Sequence, residues 1–393
     1  MGRHRCAAQL RPRAAIALVQ VLGLAVWFSA SAVAPALQRE WAVGAVLLTV
    51  AVQLGFVAGA VGSAVLTLAD RLPPHRLVAC SALGAAACTA LLTLVDSAGP
   101  ALVLRALTGL FLAGVYPVGM KLTTSWSGPS TRGRDLGLLL AALTLGSALP
   151  HLLGGLALPW RGVLLGAAAA GALAAVIAAV AVRPGPGHAP SPPPNPRYAL
   201  ALLHDRTARL VVLGYLGHMW ELYAFWTWLP TYLAAATTVP AESAHLVAFA
   251  AAGVAGAAGC VVAGRAADRV GPVPVALAAL AVSGTCCLLA PVVADGAPAA
   301  VVGFVLLWGA AVIADSALFT AALSDVVDHR YVGTALTTQT ALGFLLTSAA
   351  IPTVAAAAAL TDWRLAAVAL LPGPLLGVRA LRALLARRVT LEA

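Results

Sequence analysis

The chain has 393 residues, of which 61% are hydrophobic and only 10% are charged, whereas a soluble domain has about 25% charged residues. A water-soluble core could not hide so much apolar surface, so the composition excludes a soluble protein and predicts a helical protein with many membrane spans. The formal net charge of +10 does not indicate a nucleic-acid partner. The basic residues cluster in alternate loops, as the positive-inside rule of membrane topology requires.

Apolar segments long enough to cross a membrane, about 20 residues each, follow one another along the whole chain. The sequence predicts twelve spans, six in each half. The first half has residues 14–37, 42–69, 76–95, 99–122, 136–158 and 161–182. The second half has residues 208–235, 243–266, 272–293, 297–320, 332–357 and 364–386. We therefore expect an all-α membrane protein with twelve transmembrane helices.

The first apolar run follows several arginines and has features of a secretory signal. It extends from Ala14 to Leu37, which is longer than the apolar core of a signal peptide, about 7–15 residues. We interpret it as an uncleaved first span. Because the basic residues cluster on one side of the membrane, both termini are expected in the cytoplasm. The protein is expected in the cell membrane.

A proline-rich stretch separates the two halves. Dense proline prevents a helix because proline lacks a backbone donor, so we expect a semi-extended cytoplasmic tether; a ligand for a proline-recognition domain is the alternative. A short helix at the membrane surface is expected over residues 198–209. The predicted parts are a tail (1–13), an N-terminal six-helix bundle (14–183), the linker (184–207), a C-terminal six-helix bundle (208–386) and a second tail (387–393).

A charged stretch, Gly264-Arg265-Ala266-Ala267-Asp268-Arg269-Val270-Gly271, follows the second predicted span of the second half. The first half has a similar stretch around Asp70 and Arg71, and the two acids lie 198 residues apart (268 − 70). This repeat predicts two related halves, each with a charged tight turn at the same place. The earlier copy has Leu66 and Pro73 where the later one has glycines.

The pattern Gly264-x-x-x-Asp268-Arg269-x-Gly271 resembles the loop signature of the major facilitator superfamily of secondary transporters. The resemblance implies two pseudo-symmetric six-helix bundles that expose a central site alternately to the two sides of the membrane. It also implies a cytoplasmic gate in which the acids cap helix N-termini and the arginines pair with acids on neighbouring helices. The gate residues would be Asp70, Arg71, Gly264, Asp268, Arg269 and Gly271.

Few ionisable residues lie inside the predicted spans, where each costs about 2.5–3.5 kcal/mol at the membrane centre. Arg105, in the fourth span, has two interpretations: a cation that binds an anionic group or tunes a nearby acid, or a structural residue bonded to backbone carbonyls. Asp315, in the tenth span, could pair with Lys121 or Arg105. His151 follows Pro150 in the fifth span, where glycines and a proline predict a bend.

His218 and Glu221 in the seventh span are three residues apart, so both point to one face of the helix. A carboxylate beside an imidazole can exchange a proton near neutral pH, which would suit a coupling site; a mutually satisfied pair that fixes helix packing is the alternative. Tyr223, close by, is a further candidate for lining the substrate cavity.

No enzyme constellation, phosphate loop or metal-ligand spacing occurs in the sequence, so no cofactor and no metal are expected. The six cysteines are scattered and suit packing. We expect a monomeric secondary transporter of a small solute, whose partners are its substrate, protons and the lipid bilayer. Proton-coupled uptake of a small organic anion is the first hypothesis, because a buried arginine near acids suits it. Proton-driven efflux of a drug-like compound, a non-transporting membrane sensor or scaffold, and a channel are the alternatives.

Overall fold

The computed structural model describes residues 2–42, 44–128, 132–156, 158–187, 197–198, 202, 204–328 and 331–392. All regular structure within these residues is helical. The chain divides into two units, Met1–Pro193 and Pro194–Ala393, and this division falls within the predicted linker. The remaining predicted boundaries stay predictions.

Six spans follow one another in each unit, and they are numbered here from 1 to 12 along the chain. Span 1 begins as the helix Gly2–Gly23 and continues in the shorter pieces Leu24–Val26, Ser29–Ala32 and Ala34–Trp41. Spans 2 to 6 are Ala45–Val65, Pro74–Leu94, Ala98–Trp126, Arg132–Gly155 and Trp160–Ala181. Spans 7 to 12 are Arg206–Ala236, Ala241–Val270, Pro272–Val293, Pro298–Val326, Val332–Leu360 and Trp363–Arg387. The prediction of an all-α membrane protein with twelve spans is confirmed for the described residues.

Small residues bring neighbouring spans of each unit into close contact. A Cβ atom on Gly55 of span 2 would lie 1.9 Å from the carbonyl oxygen of Ala106 in span 4, and one on Gly259 of span 8 would lie 2.3 Å from that of Ala310 in span 10. The two glycines are 204 residues apart (259 − 55), and so are the two alanines (310 − 106). Glycine is therefore required for backbone contact at the same place in both halves.

An arginine near the start of the last span of each unit ties that span to an acid. Arg161 donates to Glu40 at 2.7 Å, and Arg364 makes two hydrogen bonds of 2.6 Å with Asp295. Each arginine follows a tryptophan, and the two arginines are 203 residues apart (364 − 161). The internal repeat thus extends beyond the charged stretch that reveals it in the sequence.

Several spans are interrupted along their length, among them spans 1, 4 and 10, so some backbone carbonyls need partners outside their own helix. Span 4 loses its helical pattern at residues 113–115, where Gln20 donates to the carbonyl of Val115 at 3.1 Å. Span 10 is interrupted at Asp315, where the thiol of Cys260 lies 3.3 Å from the carbonyl oxygen of Ile313. Span 1 is interrupted near Trp27. Side chains of neighbouring spans therefore hold the interruptions of spans 4 and 10.

The charged stretch of the second half is helical rather than a turn. Asp268 and Arg269 lie in the last turn of span 8, which ends at Val270, and Gly271 alone separates it from span 9. Gly271 has φ +85°, a conformation that glycine adopts without strain. The predicted tight turn is therefore wrong in extent, because nothing before Gly271 breaks a helix. In the first copy the chain turns earlier, at Thr67 with φ +51°, and a short helix Leu68–Arg71 follows.

The start of the predicted linker is bound to the end of span 4. The backbone N–H of Gly185 donates to the hydroxyl of Ser125 at 2.9 Å, and that of Gly187 donates to the Ser125 carbonyl at 3.0 Å. The indole of Trp126 donates to the carbonyl of Arg183 at 2.9 Å. Residues 183–187 therefore belong structurally to the N-terminal unit. Residues 188–196 lie outside the described residues, and so do residues 199–201 and 203 of the helix predicted over 198–209, while its last residues, 206–209, begin span 7.

Candidate functional site

A cluster of buried polar side chains, called the acid cluster below, joins three spans of the C-terminal unit. Within each span its main members are spaced three, four or seven residues apart, so that they lie on one side of the helix. His218, Glu221 and Asp315 are each at most 1% exposed. The members are His218 and Glu221 of span 7, Ser283 and Cys287 of span 9, and Trp308, Asp315 and Ser316 of span 10.

His218 is paired with Asp315 at the interruption of span 10. Its Nδ1 lies 2.8 Å from Oδ1 of Asp315, and its Nε2 lies 3.1 Å from the hydroxyl of Ser316. The ring also packs against Phe319, with 5.6 Å between centroids. The sequence suggested a partner for His218 on its own helix and a cation from another span for Asp315. Within the C-terminal unit the structure pairs His218 with Asp315 rather than with Glu221 of its own helix, because the position along span 7 places the imidazole opposite the interruption of span 10. A pairing of Asp315 with Lys121 or Arg105 stays a prediction.

Glu221 contacts neutral donors. Its Oε1 accepts a hydrogen bond of 2.7 Å from the indole N–H of Trp308, and the Cys287 thiol lies 3.4 Å from the same atom. The hydroxyl of Ser283 faces the carboxyl group but donates to the Leu280 carbonyl at 3.3 Å. Within the described residues Oε2 has no hydrogen-bond partner and the carboxyl group has no ion-pair partner. An ionised carboxylate buried without a cation is costly in an apolar medium.

Arg105 lies in the N-terminal unit at the interruption of span 1. Its guanidinium donates to the carbonyls of Val26 (3.1 Å), Leu48 (3.4 Å) and Trp27. These contacts match the structural interpretation of this residue. The side chain is fully buried and forms no ion pair within the described part of the chain. Carbonyl dipoles solvate the cation but leave its charge of +1 uncompensated.

The other predicted cavity residues are also buried. Tyr223, 4% exposed, packs edge-on against Trp226 and Phe344, with centroids 5.4 and 4.9 Å apart. His151 is 1% exposed and lies in span 5, whose helical pattern continues through Pro150. Neither residue belongs to the acid cluster, and their roles stay predictions.

The predicted gate residues lie at or near the ends of spans, and their role as a gate stays a prediction. Asp268, Arg269 and Arg71 are exposed and form no ion pair within the described residues of their own units. Asp268 lies near the C-terminal end of a helix, so it does not cap the N-terminus of that helix. The side chain of Asp70 lies outside the described residues.

Four members of the acid cluster were not predicted from the sequence: Ser283, Cys287, Trp308 and Ser316. The signal for Trp308 was its place in the middle of a span, since tryptophan in membrane proteins is enriched at the interfaces. A buried indole N–H usually has an acceptor, and Trp308 is seven residues, about two helical turns, before the acid Asp315. Cys287 carried no such signal, because a thiol inside a span is an ordinary packing group.

Comparison with known proteins agrees with this architecture. The family model described as Major Facilitator Superfamily matches residues 16–352, which is most of the chain. No curated protein matches the sequence. The crystal structure of the human organic anion transporter MFSD10 (TETRAN) is similar with a TM-score of 0.73 and 18% identity, over 95% of this chain and 99% of that one.

Two further solved structures are similar in fold. The fucose:proton symporter FucP of E. coli gives a TM-score of 0.70 at 14% identity, over 96% of this chain and 99% of that one. A bacterial homolog of the human lysosomal transporter Spinster, in an inward-facing conformation, gives 0.67 at 15%, over 96% and 95%. At such identities the likeness shows the fold, and the match of the family model shows the family. The chain belongs to the major facilitator superfamily and is a secondary transporter.

Proposed function

We propose that this transporter takes up a small organic anion together with a proton, and that Glu221 carries the proton. The observation that supports the proposal is the burial of Glu221 beside neutral donors only, next to the His218–Asp315 pair. A protonated Glu221 is neutral, and the pair is neutral overall whether its proton lies on the ring or on the carboxyl group. One proton therefore changes the net charge of the acid cluster between −1 and 0.

The charges buried in the two units give a reason for coupling. Arg105 contributes +1 in the N-terminal unit, and ionised Glu221 contributes −1 in the C-terminal unit. An anionic substrate compensates the first charge and a proton compensates the second. The empty carrier and the carrier with both ligands then have the same net buried charge of zero, whereas a carrier with one ligand has an extra charge. Because an uncompensated charge in the membrane is costly, transport with both ligands is favoured.

Further parts of the proposal concern the surroundings of the site. We propose that the protein lies in the cell membrane as a monomer, with both termini in the cytoplasm. The stretches around Asp70 and Asp268 act as the cytoplasmic gate. The human transporter of similar fold is named for organic anions, which agrees with the proposed substrate class.

The test is uptake into proteoliposomes with and without an imposed proton gradient. A thermal-shift screen of small carboxylates first identifies a ligand that stabilises the purified protein. Glu221→Gln is expected to keep exchange of this ligand across the membrane but to lose accumulation driven by the gradient. Glu242→Gln is the matched control, because Glu242 is exposed. If Glu221→Gln accumulates the ligand as well as the wild type does, Glu221 does not carry the coupled proton.

Proton-driven efflux of a drug-like compound is the second candidate. It is favoured by the lining, rather than the size, of a small cavity in the C-terminal unit whose walls include Phe225, Trp228, Tyr232 and Trp308, since apolar and aromatic walls are typical of sites for drug-like compounds. The direction of the gradient separates the two functions. Uptake is driven by protons that enter the cell together with the solute, whereas efflux is driven by protons that enter while the solute leaves.

A further inference from the structure

We infer that Trp308 is a positioning residue for Glu221: its indole N–H fixes one carboxyl oxygen and leaves the other to exchange the coupled proton. The inference rests on the proposed function of Glu221. It adds a residue to the site and assigns different roles to the two oxygens of one carboxyl group.

The contacts of Glu221 are distributed unequally between its two oxygens. Oε1 accepts from Trp308 at 2.7 Å and is 3.4 Å from the Cys287 thiol, whereas Oε2 has no hydrogen bond within the described residues. Trp308 therefore supplies the shorter and better donor. When a donor fixes one oxygen of a carboxyl group, the other oxygen remains available to bind and release a proton.

Neighbouring rings hold Trp308 in place. Its ring centroid lies 5.1 Å from that of Phe225, 5.8 Å from that of Phe304 and 6.4 Å from that of Tyr232. The side chain is 2% exposed. The indole cannot turn away from Glu221 without moving these rings, so the position of the N–H is fixed by packing before any proton arrives.

Among the described residues of the C-terminal unit, no lysine or arginine lies near the carboxyl group to compete with this role of the indole. The titratable groups that face Glu221 are His218 on its own span, Asp315 on span 10, and Cys286 and Cys287 on span 9. His218 is paired with Asp315. The orientation of Glu221 therefore depends on Trp308 and, to a smaller extent, on Ser283 and Cys287.

Infrared spectroscopy of the purified full-length protein tests the inference. Glu221→Gln identifies the Glu221 bands by difference: the C=O band of the protonated acid at low pH, or the carboxylate band where the group is ionised. Trp308→Phe keeps an aromatic ring and removes the N–H. In Trp308→Phe we expect the C=O band of the protonated acid to move to higher wavenumber, because a carbonyl that loses its hydrogen-bond donor has a stronger C=O bond. Where Glu221 is ionised, we expect its carboxylate band to be displaced.

Trp228→Phe is the control, because the Trp228 indole donates to the Ile351 carbonyl at 3.0 Å and the residue lines the same cavity as Trp308. It should leave the Glu221 bands in place. Bands that are also unmoved in Trp308→Phe would overturn the inference, even if Glu221 proves to be the coupling residue. A band that moves while Glu221→Gln still accumulates ligand would show that Trp308 positions Glu221, but it would overturn the proposed function and with it the role of the second oxygen in proton exchange.

A second measurement covers the case in which Trp308→Phe does not fold. The indole ¹⁵N–¹H resonance of Trp308 is compared between the wild type and Glu221→Gln. A charged or strongly accepting partner shifts this resonance, so a change confined to Trp308 supports the contact. An unchanged resonance contradicts it.

Discussion

Replacing Arg105 tests whether the interrupted part of span 1 depends on the shape of the guanidinium or on its charge. Arg105→Lys keeps the charge but replaces a planar fork of five donors by a single ammonium group. An ammonium cannot reach three carbonyls that belong to two different spans. Arg105→Met removes both the charge and the donors.

The magnitude follows from the three hydrogen bonds and from the cost of the buried charge. Hydrogen bonds to a charged group contribute about 1.5–3 kcal/mol each, so three contribute about 4.5–9 kcal/mol. Burying the cation costs about 2.5–3.5 kcal/mol, and Arg105→Met removes this cost, which leaves a net loss of about 1–6.5 kcal/mol. Arg105→Lys retains the cost and loses at least two of the bonds, a net loss of about 3–6 kcal/mol. Wherever one bond contributes less than the burial cost, the loss is larger for Arg105→Lys, so Arg105→Lys is expected to be about as unstable as Arg105→Met or more so.

Thermal unfolding of the purified protein measures the effect. For a folding unit of this size, 1 kcal/mol corresponds to a shift in Tm of roughly 2–4 °C, so Arg105→Lys should lower Tm by about 6 °C or more. Arg161→Lys is the control: Arg161 pairs with Glu40 at a surface where its side chain is 49% exposed, and such pairs contribute at most about 1 kcal/mol. If Arg105→Lys is as stable as the wild type, the reasoning is refuted. If Arg105→Met folds, we expect it to bind an organic anion more weakly than the wild type does. This result would show that Arg105 has an electrostatic role besides its structural one.

Three other outcomes are expected. Asp268→Asn should reduce transport while insertion and expression persist, and normal rates in a transport assay of this variant and of Asp70→Asn would contradict the proposed gate. Gly259→Ala should destabilise the protein in thermal unfolding, since its Cβ would lie 2.3 Å from a backbone oxygen, whereas Gly303→Ala should not, since nothing lies within 4 Å of its Cβ. A reporter fused after Ala393 should be active in the cytosolic assay only, and activity on the outer side would overturn the predicted orientation.

The number of spans could be predicted from the sequence because the thickness of the bilayer fixes how long an apolar segment must be. The interruptions of spans 1 and 4 could not be, since the sequence there remains mainly apolar. In span 10, Asp315 marked a polar position but did not predict a break in the helix. What holds them, for example Gln20 at the carbonyl of Val115, comes from a residue distant in sequence.

The acid cluster was predicted in part. Helical spacing placed His218 and Glu221 on one face of span 7, but it gave no information about which spans meet that face. The partners of these two residues depend on how spans 9 and 10 are rotated about their axes, and the few polar residues of these mainly apolar spans do not specify this rotation. The contact between Trp308 and Glu221 was missed for this reason.

The order of synthesis means that the hydrogen-bond acceptors of Arg105 are inserted into the membrane before Arg105 itself. Its three carbonyl partners belong to spans 1 and 2, which leave the ribosome before span 4. When the translocon releases span 4, these acceptors already lie in the bilayer, so the arginine need not be exposed to lipid alone. A circular permutant that begins at span 3 and makes spans 1 and 2 last would reverse this order, and such a chain should be degraded by quality-control proteases although its final contacts are the same.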